Sequence, residues 1–164
     1  MTKIHLDTTF LMPFFNLETD IKDLNAQFHR LLENKKFQYT YSPVSIIEIK
    51  WTIIKLEKAG YDRESLEKQF SESLLALTLH ESFQQINFVD SMINNVSFEL
   101  MKLGHRDLFD TIIASSALWE ADIFLTEDDP LKKQIQKLLK NKTFSELEST
   151  PIYTWKEFLS YLCV

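Results

Sequence analysis

The sequence is poor in cysteine and glycine. It holds one Cys, Cys163, and two Gly, Gly60 and Gly104, in 164 residues. A lone cysteine excludes an internal disulfide and a Cys-based zinc site; Cys163 is read as a small buried residue closing the last helix. Two glycines leave no Gly-rich phosphate loop and argue against a β-rich fold with many tight turns. No apolar run is long enough to span a bilayer. The opening stretch MTKIHLDTTFLMPFFN is broken by His5, Asp7 and Pro13, with no small-residue cleavage site behind it, so it does not read as a signal peptide. The expected location is the cytoplasm, where the triplets NVS and NKT carry no meaning as glycosylation acceptors. Positive charge is also short. The formal net charge is −6, whereas nucleic-acid binders are usually basic. That objection weakens if several acids gather at one site and cations neutralise them.

What is present suffices for a core: 45% hydrophobic residues, 13% aromatic, thirteen of them Phe. The length fits a single domain spanning residues 1–164. KIHL alternates and stops at Asp7, as a short strand does. TTFLMPFF follows as a helix interrupted at Pro13. In TDIKDLNAQFHRLLENKK, residues Ile21, Leu24, Phe28, Leu31 and Leu32 form one helical stripe, with Thr19 or Asp20 as its cap. FQYTY is aromatic and β-branched, a second strand. SPVSIIEIKWTIIKLEKAG is a helix capped by Ser42, with Pro43 at its first position and Gly60 at its end; being apolar nearly all round, it is expected to be buried. Leu66, Phe70, Leu74 and Leu77 mark a further helix, after which ESFQQINFVD loses its period and reads as a connection. SMINNVSFELMKLG and LFDTIIASSALWEA are helices, DIFLT a third strand, PLKKQIQKLLK a helix and PIY a brief fourth strand. TWKEFLSYL opens with a capping box from Thr154 to Glu157. Strands alternating with helices imply the α/β class: a short parallel sheet of about four or five strands with helices on both faces.

In such sheets ligands bind beyond the carboxyl ends of the strands. Asp7 ends the first strand and Asp128 follows the third. Glu48 lies in the helix after the second strand, and Asp110 in the first turn of the helix that feeds the third. Four carboxylates distant in sequence can thus meet at one rim. Each alone has a plainer use. Asp7 could cap a helix, Glu48 could close a capping box with Ser45, and Asp110 could answer a helix dipole. Asp129 precedes Pro130 and is expected to cap the next helix, and Glu127 is expected to be solvated. Together the four need positive charge. Two carboxylates ~5 Å apart repel by roughly 3 kcal/mol at an effective dielectric of about 20, and hard oxygen ligands favour Mg²⁺ or Mn²⁺.

At these residues the sequence resembles the PIN domain, the fold of many small metal-dependent ribonucleases. IHLDTTFL resembles its opening strand-Asp-Thr block, and SPVSIIEI the block that ends in a helix glutamate. DLFDTIIASSAL resembles the third block, IFLTEDDPL the strand ending in Thr-x-Asp, and IYTWKEFL the final strand and helix. The five occur in order over almost the whole chain; residues 61–90, a less typical helical region, match none. The resemblance places Asp7, Glu48, Asp110 and Asp128 on the family's acidic, metal-binding and catalytic positions, and Thr8 and Thr126 on its supporting hydroxyl positions. It implies Mg²⁺- or Mn²⁺-dependent hydrolysis of RNA phosphodiesters, single-stranded or structured. Many members are toxins of VapC type restrained by a small antitoxin, and many are homodimers.

Lys50, Lys55, Arg106, Lys132 and Lys133 are candidate RNA contacts. His105–Asp107 reads HRD, a kinase-like triplet, but no Gly-rich loop or DFG accompanies it. His5, His29 and His80 show no ligand spacing. Two rival readings exist. A catalytically weak PIN-fold binding or assembly module would lack metal-dependent cleavage. A phosphoryl-accepting switch at Asp7 would need a lysine after a late strand, and none is clear.

Overall fold

The computed structural model describes residues 1–140, 144, 147 and 150–162. Cys163 lies outside them. The chain runs β1 (Thr2–Leu6), α1 (Thr8–Leu11) and a 3₁₀ turn over Met12–Phe15, then α2 (Leu24–Leu32), β2 (Phe37–Tyr41), α3 (Pro43–Lys58) and α4 (Arg63–Leu79). It continues through β3 (Phe83–Gln85), α5 (Ser91–Lys102), α6 (Leu108–Glu120), β4 (Ile123–Leu125), α7 (Asp129–Leu139), β5 (Ile152–Tyr153) and α8 (Trp155–Leu162). All strand pairs are parallel, in the order β3-β2-β1-β4-β5. The chain builds outward from β1 to β3, then returns to β1's other side for β4 and β5. The reversal leaves a crevice between the carboxyl ends of β1 and β4, where open α/β sheets bind ligands.

Alternation along the central strands feeds two cores. Ile4, Leu6, Ile123 and Leu125 join one with Tyr39, Phe10, Phe28, Ile49, Leu77 and Phe158. Phe124 points the other way, into Val96, Ile113, Ala117, Leu131 and Ile135 of α5, α6 and α7. Helices therefore cover both faces. His5, between Ile4 and Leu6, is fully buried and bonds Thr40 Oγ1 through Nδ1 at 2.9 Å; burial pushes its pKa down to about 3, so it is neutral.

Several expected elements are confirmed in detail. Ser42 accepts from Val44 N–H, and Pro43 starts α3. Gly60, at φ +100°, ends it in a left-handed turn whose N–H groups satisfy Glu57 and Leu56 carbonyls. The Thr154–Glu157 capping box closes in both directions.

Three expectations are corrected. The stretch read as a connection contains β3, bound to β2 with Tyr39 opposite Phe83. Together with α4, whose Phe70 stacks on Phe15 at 5.5 Å, it gives residues 61–90 a structural place over the first core. The second helix begins at Leu24, not after Thr19 or Asp20; Asp23 precedes it at φ 60° and makes no side-chain cap bond. Nor is α3 buried all round. Val44, Ser45, Ile49 and Ile53 face inward, but Ile47 is 54% and Trp51 56% exposed. No described helix is long and apolar enough to cross a membrane.

Candidate functional site

The pairing of Leu6 with Leu125 brings β1 and β4 to an end at the same level. The next residues therefore meet. Asp7 caps α1, its Oδ1 accepting from Thr8 N–H at 2.7 Å. Its Oδ2 accepts from the Thr126 hydroxyl at 2.6 Å. The Thr8 hydroxyl donates in turn to Glu48 Oε2, on the second turn of α3. Both threonines named from the sequence thus hold an acid named with them. The same Thr126 oxygen also accepts Asp128 N–H at 3.1 Å.

Asp110 arrives from the opposite wall. Asp107 caps α6 by accepting from Phe109 and Asp110 N–H groups, which leaves the Asp110 carboxylate free of capping duty. It instead meets His105, whose Nε2 lies 3.1 Å from Asp110 Oδ2. His105 is set by the end of α5. Gly104 takes φ +105°, its N–H bonds Met101 O, and His105 N–H bonds Leu100 O. This Schellman turn needs a left-handed residue and reverses the chain into the cleft.

Asp128 holds a surprise. The sequence assigned the cap of α7 to Asp129, yet Asp128 makes it, its Oδ1 accepting Leu131 N–H at 2.7 Å. Asp129 is the exposed first residue of the helix, and Pro130 follows within the first turn, where its missing N–H costs nothing. The cap's bond to the third helical N–H outweighs the pre-proline bias away from helix. Glu127 is exposed as expected, but it also accepts Trp155 N–H at 2.7 Å.

Asp7, Glu48, Asp110 and Asp128 all line one cleft of about 830 Å³. Burial pushes the Asp7 pKa up to about 6; the Thr126 bond opposes this, and Asp110 and Asp128 add to it. Burial lifts Glu48 to about 7, against the Thr8 bond and with help from Asp7, Asp110 and Asp107. Asp110 is also raised by burial, opposed by its bond to His105. Burial is the main reason Asp7, Glu48 and Asp110 resist ionisation, and repulsion from neighbouring acids adds to it. A donor set rich in carboxylate oxygens fits a divalent cation. One oxygen each from Asp110 and Asp128 and one nitrogen of His105 lie within 4.8 Å of one another. This close group sets an imidazole beside two of the four expected acids and does not include Asp7 or Glu48.

Of the five cations named from the sequence, Lys55 lines this cleft. Lys132 is bound to Glu157 at 3.0 Å. Lys50 and Lys133 line other surface hollows, and Arg106 is exposed.

No family model matches the sequence, and no curated protein is similar to it in sequence. Solved structures are similar in fold. VapBC2 from Rickettsia felis, bound to a DNA fragment from its promoter, matches at a TM-score of 0.55 and 16% identity, over 93% of this chain and 98% of that one. PAE2754 from Pyrobaculum aerophilum matches at 0.57 and 14%, over 99% and 90%. The fold is PIN-like. In this PIN-like fold the acids sit where β1 and β4 end, on the crevice side of the sheet.

Proposed function

We propose that the protein is a Mg²⁺- or Mn²⁺-dependent endoribonuclease built as a single domain. One observation carries the reading. Four carboxylates from four separated segments line a single cleft at the strand-order reversal, and two of them are held by threonines that follow β1 and β4. Asp7, Glu48, Asp110 and Asp128 are the proposed metal-binding and catalytic residues, with His105 beside Asp110.

A bound divalent ion would supply positive charge to the phosphate and a more acidic water. The chain's own contribution is fixed orientation. Thr126 holds Asp7, Thr8 holds Glu48, His105 holds Asp110, and the α7 backbone holds Asp128. Holding acids this way lowers the reorganisation needed on binding. The net reaction is attack of water oxygen on phosphorus, cleavage of the P–O3′ bond, and transfer of a proton to the leaving 3′ oxygen.

The similarity to a VapBC complex supports a small antitoxin as partner. A homodimer and a cytoplasmic location complete the proposal. The deciding experiment is cleavage of a mixed-sequence single-stranded RNA by wild type and Asp110→Asn. Expected are Mn²⁺- or Mg²⁺-dependent fragments from the wild type, their loss in chelator, and at least a hundredfold loss in the variant with native circular dichroism. Full cleavage in excess chelator, or by the variant, refutes a metal-dependent nuclease. A folded, metal-binding wild type that cuts no RNA leaves the fold as a binding module.

A further inference from the structure

The indole of Trp51 is exposed at the rim of the acid cleft. Of the three tryptophans, Trp155 is 4% exposed, Trp119 37% and Trp51 56%. Trp51 follows Glu48 by three positions, so the two side chains are neighbours on one side of α3. Both line the cleft, as do Thr52 and Lys55 one turn on. Beyond them Lys58 places its Nζ 5.9 Å from the centroid of the indole ring. One edge of α3 therefore presents, in order, a carboxylate of the metal site, a flat aromatic face and two exposed lysines.

That order matches the alternation of phosphate and base along a single strand. A phosphate belongs at the acid cluster with its cation, a base beside it, and further phosphates beyond. Aromatic faces bind any unpaired base by stacking, and flanking lysines follow the backbone. The cation over the ring also steadies its plane. A paired base is already stacked on both faces and offers none to an indole. We propose that Trp51 is the stacking platform for the base next to the scissile phosphate, and that it makes the cleft select unpaired RNA. This rests on the nuclease reading above.

The test is binding of a fluorescein-labelled ten-nucleotide single-stranded RNA in Ca²⁺, with the RNA shown to remain whole on a gel. Wild type, Trp51→Ala and Trp51→Phe are compared, along with oligomers carrying one abasic site at each position in turn. Loss of one stacked base weakens binding roughly five- to a hundredfold. Trp51→Ala is expected in that range and Trp51→Phe within about threefold of wild type. At one position the abasic site should weaken the wild type and leave Trp51→Ala unchanged. Equal affinity of wild type and Trp51→Ala overturns the proposal, as does an abasic penalty identical in both at every position. Unchanged RNA binding with an altered mass by light scattering also overturns it, assigning Trp51 to a protein interface. In each of these three cases wild-type cleavage would still stand. A wild type that neither binds nor cleaves RNA overturns the nuclease reading as well.

Discussion

Thr126 donates its hydroxyl to Asp7 across 119 residues of sequence, joining the ends of the two central strands at 2.6 Å. That bond works against the burial that raises Asp7, and the same oxygen accepts Asp128 N–H. Thr126→Val keeps the shape and deletes the oxygen. Asp7 should then hold its proton to a higher pH, moving the acid limb of the pH–rate profile upward. Lost hydrogen bonding should lower stability by about 1–3 kcal/mol. An unmoved acid limb would show that Asp7 does not need Thr126.

Without metal, stability should fall as pH rises, because Asp7 and Glu48 together outweigh the opposite, smaller gain from the buried neutral His5. Asp7 and Glu48 are raised to about 6 and about 7 in the folded chain, while their unfolded values lie near 4. Below pH 4 both states are protonated and nothing is lost. Between pH 4 and 7 the unfolded chain releases protons that the folded chain retains, so unfolding becomes progressively easier. In chelator the Tm at pH 5 should exceed that at pH 8, and Glu48→Gln should narrow the gap. Metal that binds only the folded chain adds about 2.7 kcal/mol at a hundredfold excess over Kd, so millimolar Mn²⁺ should raise the Tm at pH 8. A Tm in chelator that climbs from pH 5 to pH 8 contradicts this.

Asp128 has two tasks, and two substitutions separate them. Asp128→Asn keeps an oxygen for the α7 cap and removes the charge; Tm should stay near wild type while turnover collapses. Asp128→Ala removes both, so it should also cost about 0.5–2 kcal/mol of stability. Asp129→Ala should change neither measurably. Thermal melts and single-turnover cleavage on the three proteins decide the assignment.

His105 should be read by metal affinity rather than by rate. Whether it ligates the ion or only orients Asp110, its loss should weaken Mn²⁺ binding roughly 10–100-fold. Calorimetric titration of His105→Ala with Mn²⁺ measures this. Unchanged affinity would reduce His105 to packing.

The strands β1, β2 and β4 were legible because apolar, β-branched or aromatic runs end at clear stops, and those stops put Asp7 and Thr126 at strand ends. β3 was not legible. Phe83-Gln84-Gln85 offers one apolar side chain, and its strand character comes from its bonds to β2. The acids could be gathered on paper because topology alone aims them. His105 could not, since its approach to Asp110 depends on the turn at Gly104. The α7 cap was expected at Asp129 and falls on Asp128 because the proline rule and the cap geometry pull opposite ways, and local propensity does not say which wins. On α3, apolar residues on every side conceal which ones water will reach, so Trp51 passed for core.

The link between β1 and β4 also sets when the cleft can form during synthesis. Asp7 is synthesised well before its hydroxyl partner, which lies 119 positions further along the chain. Until then Asp7 has neither Thr126 nor Asp128 beside it, and the cleft has one wall missing. The acid cleft is therefore assembled only after β4 has been made and has docked beside β1.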